Sequence, residues 1–246
     1  MIEIKDLSHS FGPNQVLKNV SLFVGDGEIL AVMGSSGGGK TTLLRCISGL
    51  IKPTSGSITV DGIDVQAQPE EARKKMGMVF QSAALFDYLT VEQNVLFGVR
   101  RHLKLSAKDE GHLLADTLSR VSLTGNEHLV PAELSGGMKK RVGMARAIAL
   151  NPKVLLYDEP TTGLDPITTY QIDELVASLR KTLGATSLLV SHDIISVQRT
   201  ADRVAFLDQG EIAFVGTTAE FLKSDHPAIR EVVEKSQARS LKAVSR

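Results

Sequence analysis

Residues 34–41 read Gly-Ser-Ser-Gly-Gly-Gly-Lys-Thr, and this octet decides the fold. It follows the apolar run Ile29–Met33. It precedes a stretch in which Leu43, Leu44 and Ile47 share one helical face and Gly49 can end the helix. Gly-x4-Gly-Lys-Thr between a strand and a helix is the pattern of a phosphate-binding loop. Its glycines let backbone N–H groups turn towards phosphate oxygens, and the helix N-terminus favours the same negative charge. Gly34, Ser35, Ser36, Gly37, Gly38, Gly39, Lys40, Thr41 and Thr42 are therefore expected to hold a nucleotide such as ATP. Lys40 is placed to reach the β- and γ-phosphates, and the Thr41 hydroxyl to ligate Mg²⁺.

Such a loop needs a carboxylate at the end of a neighbouring apolar strand. Val154-Leu-Leu-Tyr-Asp-Glu159 supplies two, and Pro160 stops the strand. Asp158 is expected to hold Mg²⁺, and Glu159 to orient or deprotonate the attacking water. Two more polar residues end apolar strands: Gln81 after Met76–Phe80, and His192 after Ser187–Ser191. In a parallel sheet the strand ends converge on the ligand crevice. Gln81 is expected to sense Mg²⁺ or the attacking water, and His192 to contact the γ-phosphate.

A second anion-binding helix start stands about a hundred residues further on. Ser135, Gly136 and Gly137 precede a helical pattern whose first turns carry Lys139, Lys140 and Arg141. Two readings of the cations are open, attraction of nucleotide and a solvated helix face.

The chain has 246 residues, is 42% hydrophobic, and carries 28 basic and 28 acidic side chains. It can bury a core, and no net field draws nucleic acid. Cys46, the only cysteine, excludes an internal disulfide and reads as core packing. The start does not look like a signal peptide, and no apolar run approaches the ~18–20 residues that span a bilayer. The pattern is α/β: strands, then mainly helix from about Thr90 to Leu150, then strands again around a helix starting near Thr168. Capping-box spacing marks Thr90/Gln93 and Ser106/Asp109, and Gln209–Gly210 turns a hairpin.

The order and spacing of GSSGGGKT at 34–41, Gln81, LSGGM at 134–138, VLLYDE at 154–159, GLD at 163–165 and His192 resemble the ATP-binding-cassette ATPases over nearly the whole chain. The resemblance implies a P-loop NTPase fold with a RecA-like core, an antiparallel β subdomain and an inserted helical subdomain. It divides the chain into 1–85 (first part of the core, with the β subdomain), 86–150 (helical signature subdomain), 151–222 (second part of the core) and 223–246 (helical tail). It also explains the second anion site. In the family two copies pack head to tail, and each ATP lies between one phosphate loop and the other copy's LSGG helix start. Ser135, Gly136 and Gly137 would then touch the γ-phosphate held by the partner's Lys40, and Asp165 would lie in the loop crossing the interface. Phe11 resembles the aromatic that stacks on adenine; a place in the core is its other reading. Met138 stands where many relatives have glutamine.

More narrowly, VFQSAALFDYLTVEQNV, VPAELSGGM and GLDPIT resemble the ATPase subunit of bacterial maintenance-of-lipid-asymmetry systems. That implies a homodimer bound peripherally to the cytoplasmic face of the inner membrane. Its partners would be an integral permease and a mammalian-cell-entry-type (Mce) lipid-binding subunit, and it would move phospholipid. The alternatives are an ATPase for small solutes such as amino acids, and a cassette protein without a permease. Ala84, Leu85, Phe86, Tyr88 and Leu89 either close the core or line a groove for a permease helix.

Overall fold

The structure, a computed structural model, describes residues 1–35 and 37–244, the last eight as backbone only. The chain opens with β1 (Ile2–Phe11), β2 (Asn14–Val24), β3 (Ile29–Gly34), α1 (Lys40–Ile47), β4 (Ser55–Val60), β5 (Ile63–Asp64), α2 (Pro69–Lys74) and β6 (Met76–Val79). Three helices follow, α3 (Val91–His102), α4 (Ala107–Arg120) and α5 (Gly136–Ile148), with a 3-10 turn at Pro131–Glu133. The remainder is β7 (Val154–Asp158), α6 (Pro166–Leu183), β8 (Thr186–Val190), α7 (Ile194–Thr200), β9 (Arg203–Asp208), β10 (Glu211–Thr217), α8 (Thr218–Leu222) and α9 (Pro227–Val244).

Two sheets form. The first is antiparallel, in the order β2-β1-β4-β5. The second runs β10-β9-β3-β8-β7-β6; all its neighbours pair in parallel except β10 with β9. Both faces of the large sheet are covered, so its central strands read as unbroken apolar runs. On one face Leu30, Val32, Leu156 and Leu188 pack with Leu43, Leu44 and Ile47 of α1 and with Ile2, Ile4 and Val20 of the small sheet. On the other, Leu155, Tyr157 and Leu189 pack with Val142 and Ala145 of α5 and with Ile172 and Val176 of α6. A third cluster joins Met33 and Phe206 to Phe221, Ile229 and Val233.

Local chemistry accounts for most boundaries. Gly49, at φ 68°, ends α1 as its N–H donates to Cys46 O. Thr90 and Gln93 complete a capping box on α3. Ser106 caps α4, and its hydroxyl also donates to the Asp109 carboxylate. Three expectations change. α6 starts at Pro166 rather than near Thr168, because Asp165 caps it and proline suits the first helical position. The apolar Met76–Phe80 run, which reads as a core strand, is only partly one: β6 is the sheet edge, and Met76 and Met78 are half-buried. Two of the basic trio do not belong to a solvated helix face. Lys140 is buried against Gln81 O, and Arg141 donates to Val121 O and the Gln171 side chain.

Candidate active site

The C-terminal ends of β3, β8 and β7 lie side by side, and a cleft of about 520 Å³ opens there. Val16, Gly34, Gly37, Gly39, Lys40, Thr41, Thr42, Glu159 and His192 line it. The octet is committed to its shape by sterics. Gly34 sits at φ 151°, and a Cβ there would meet Leu207 O at 2.1 Å. Gly39, at φ 100°, packs so close to β2 that a Cβ would lie 2.9 Å from Leu17 Cδ2. Lys40 begins α1 and is buried; its ammonium donates to Gly34 O at 2.9 Å and Ser35 O at 2.7 Å. A lysine has a third donor for a phosphate oxygen. Burial draws its pKa down, against the opposing pull of Glu159 and Asp158. Ser36 lies outside the described residues.

Asp158 ends β7, and burial together with Glu159 raises its carboxyl above the usual range, against Arg45, a hydrogen bond from Thr41, and Lys40. Its Oδ1 is buried without a hydrogen-bond partner. A paired hydroxyl and a carboxylate with one unsatisfied oxygen form a hard-oxygen donor set, which fits Mg²⁺. Among the described residues no group of three or more His, Cys, Asp or Glu could hold a metal. Mg²⁺ at phosphate sites is commonly taken through one or two protein oxygens and the phosphates of the substrate.

Glu159 is the convergence point. Its backbone is forced to φ 47°, the left-handed region, while its N–H donates to Val190 O. Its Oε2 lies 3.2 Å from His192 Nδ1 and accepts from Gln81 Nε2 at 3.2 Å and Thr162 Oγ1 at 2.8 Å. Four residues from three separate chain regions thus meet at one oxygen. Sequence reading found three of them; Thr162 went unread, although its place three residues past Glu159 at a turn was a usable signal.

The other candidates lie apart from the cleft lining. Ser135 caps α5, its hydroxyl accepting from Met138 N at 3.3 Å, and Ser135 and Gly136 are exposed. Gly137 is crowded: a Cβ would meet Thr168 Cγ2 at 2.6 Å. Asp165 spends its carboxylate on Ile167 N, Thr168 N and the Thr168 hydroxyl. Phe11 is 51% exposed, edge-on to His9, so it is not a core residue. Beyond Gln81, Leu85 packs on the core, whereas Phe86 stacks on Phe97 at 4.5 Å beside Tyr88, which is 79% exposed.

A phosphate loop, a strand-end acid pair and the two-sheet architecture define a P-loop ATPase. The chain belongs to the ABC transporter family, whose model matches residues 17–162. It is similar to the methionine import ATP-binding protein MetN of Caulobacter vibrioides, at 44% identity over 93% of this chain and 70% of that protein. It is likewise similar to the intermembrane phospholipid transport system ATP-binding protein MlaF of Haemophilus influenzae, at 40% identity over 91% and 86%. The fold matches the dimeric ATP-binding cassette MJ0796 bound to ADP and phosphate, with TM-score 0.80 and 32% identity over 89% of this chain and 99% of that one. The chain is an ATP-hydrolysing motor subunit of an ABC transporter.

Proposed function

We propose that two copies of the chain close head to tail on two ATP molecules, hydrolyse them and reopen, driving phospholipid movement through a separate permease. The observation that carries the chemistry is the convergence of Gln81, Thr162 and His192 on Glu159, at the mouth of the phosphate-loop cleft. Glu159 orients the attacking water and accepts its proton. His192 donates towards the γ-phosphate, and Gln81 and Thr162 hold the carboxylate in place. Lys40 and the loop N–H groups bind the phosphates, and the Phe11 ring stacks on adenine. Thr41, Asp158 and Gln81 would hold Mg²⁺, which when bound neutralises charge on the β- and γ-phosphates. Across the dimer, Ser135, Gly136 and Gly137 cover the γ-phosphate on the partner's loop. Asp165, at the start of α6, lies in the crossing loop.

The lipid assignment rests on the VFQSAALFDYLTVEQNV, VPAELSGGM and GLDPIT stretches and on the likeness to MlaF. It brings with it a permease, an Mce-type lipid-binding subunit and a peripheral place at the cytoplasmic face of the bacterial inner membrane. The permease is a separate chain in this reading; no helix among the described residues is long and apolar enough to cross a membrane. The shelf formed by exposed Tyr88 and Phe97 with half-buried Phe86 supports a docking surface for the permease. The domain limits 1–85, 86–150, 151–222 and 223–246 belong to the same reading. The higher identity to a methionine importer favours a second one, amino-acid uptake. Purification of the tagged chain from detergent-solubilised membranes separates them. Recovery of an Mce-type subunit, with turnover stimulated by phospholipid, is expected. A solute permease with turnover stimulated by an amino acid would contradict the lipid reading.

A further inference from the structure

Helix α5 carries Lys140, Gly143 and Arg146 at intervals of three residues, and all three meet the backbone of residues 81–84. Lys140 Nζ donates to Gln81 O. Arg146 donates to Ala83 O at 2.8 Å and Ala84 O at 2.7 Å. Between them Gly143 lets the loop lie close: a Cβ there would sit 3.3 Å from that of Ala83. The gripped residues are not relaxed. Ala83 and Ala84 hold φ 62° and 47°, a region that L residues disfavour and keep only where their surroundings impose it.

Gln81 faces two ways. Its carbonyl takes the Lys140 hydrogen bond, while its side chain donates to Glu159 Oε2 at 3.2 Å. Lys140 is 6% exposed, and its charge interacts with that of Glu159 across the loop. A buried cation at this point does more than close a loop. It fixes the peptide from which the Gln81 amide reaches the carboxylate, and it does so from the helix that begins at Ser135.

We propose that Lys140 is a positioning residue for ATP hydrolysis: by holding the Gln81 main chain it sets the Gln81 amide on Glu159, so that the orientation of Glu159 follows the position of α5. The inference rests on the roles given above to Gln81 and Glu159. Engagement of Ser135 by nucleotide would then be felt at the chain's own carboxylate, through one helix and one loop.

The test is a four-way comparison of steady-state ATP turnover by purified protein: wild type, Lys140→Met, Gln81→Ala and the double variant, with Lys140→Arg alongside. Lys140→Met is expected to lower kcat about tenfold while KM stays within about twofold, since the nucleotide contacts are untouched. Lys140→Arg, which keeps a cationic donor, should recover most of the loss. In the Gln81→Ala background the same substitution should cost little more, because the two residues act as one unit. If methionine at 140 lowers the melting temperature below that of the assay, Lys140→Gln carries the same comparison, keeping a donor and losing the charge. An equal fold-loss in both backgrounds, or a loss in KM alone, would overturn the inference while leaving Gln81 its role. Wild-type turnover by Gln81→Ala would overturn that role and the inference with it.

Discussion

Nδ1 of His192 lies 3.2 Å from Oε2 of Glu159, across the gap between the ends of β8 and β7. Glu159 is mostly shielded and His192 is half-exposed, so the carboxylate is held from the protein side and the imidazole reaches outward. The arrangement suits a base pointed at water and a donor pointed at phosphate.

Replacing Glu159 with glutamine keeps the side-chain shape and removes the proton acceptor. Turnover should fall by about 10²–10⁴-fold while Mg-ATP binding persists. Light scattering after size exclusion should then show a dimer only with ATP. Wild-type turnover by this variant would place the base elsewhere.

Lys40→Ala removes the buried ammonium that bridges Gly34 O and Ser35 O. Both nucleotide affinity and turnover should drop, the latter by about 10²–10³-fold, the usual loss when a transition-state donor is deleted. Fluorescent-nucleotide titration and phosphate release check the two arms; near-normal values in both would exclude the assignment.

The strand-end acids, the glycine octet, Gln81 and His192 were legible because each is a polar break in an apolar run, and a parallel sheet gathers such breaks at one edge. Thr162, Val16 and Lys140 were not. Val16 comes to the site from a strand of the other sheet, which no local pattern reports, and Thr162 from the turn after Glu159, where its three-residue spacing was the only mark. Nothing in a helical-wheel reading sets Lys140 apart from Lys139 or Arg141, and the packing of the 81–84 loop buries it. The helices α2 and α7 went unread for a plainer reason: at six and seven residues they are too short for a periodic signal.

Phe86 reports on docking. It is half-buried, stacked on Phe97, with the Arg146 guanidinium 5.9 Å from its ring. In Phe86→Asp the free subunit should stay folded and bind ATP, while association with its membrane partner is lost, since an unpaired charge is costly at an apolar contact. A thermal melt and co-purification from membranes read the two outcomes. A free subunit that unfolds would make Phe86 a core residue.

Asp173 gives a pH dependence. It is 3% exposed on α6, facing Arg199 at 3.4 Å, and burial pushes its carboxyl up to about 6, partly offset by Ser196 and Arg199. A carboxyl whose folded value is raised binds its proton more tightly in the native state, so stability is lost as pH rises from about 4 to about 6. The difference in unfolding free energy between wild type and Asp173→Asn should therefore shift by about 2 kcal/mol across that window, to the detriment of the wild type as pH rises. Parallel melting curves would contradict it.

If each ATP site is shared between two chains, mixing two variants restores one intact site. Ser135→Arg blocks the α5 start but leaves its own Lys40 intact; Lys40→Ala does the reverse. In a mixed dimer one site carries both lesions and the other carries neither. Each variant alone should be nearly inactive, and an equal mixture should regain roughly a quarter of wild-type turnover, with half the dimers mixed and one of two sites intact in each. Steady-state phosphate release from the two variants, separately and combined, is the measurement; wild-type turnover by Ser135→Arg alone would contradict the account.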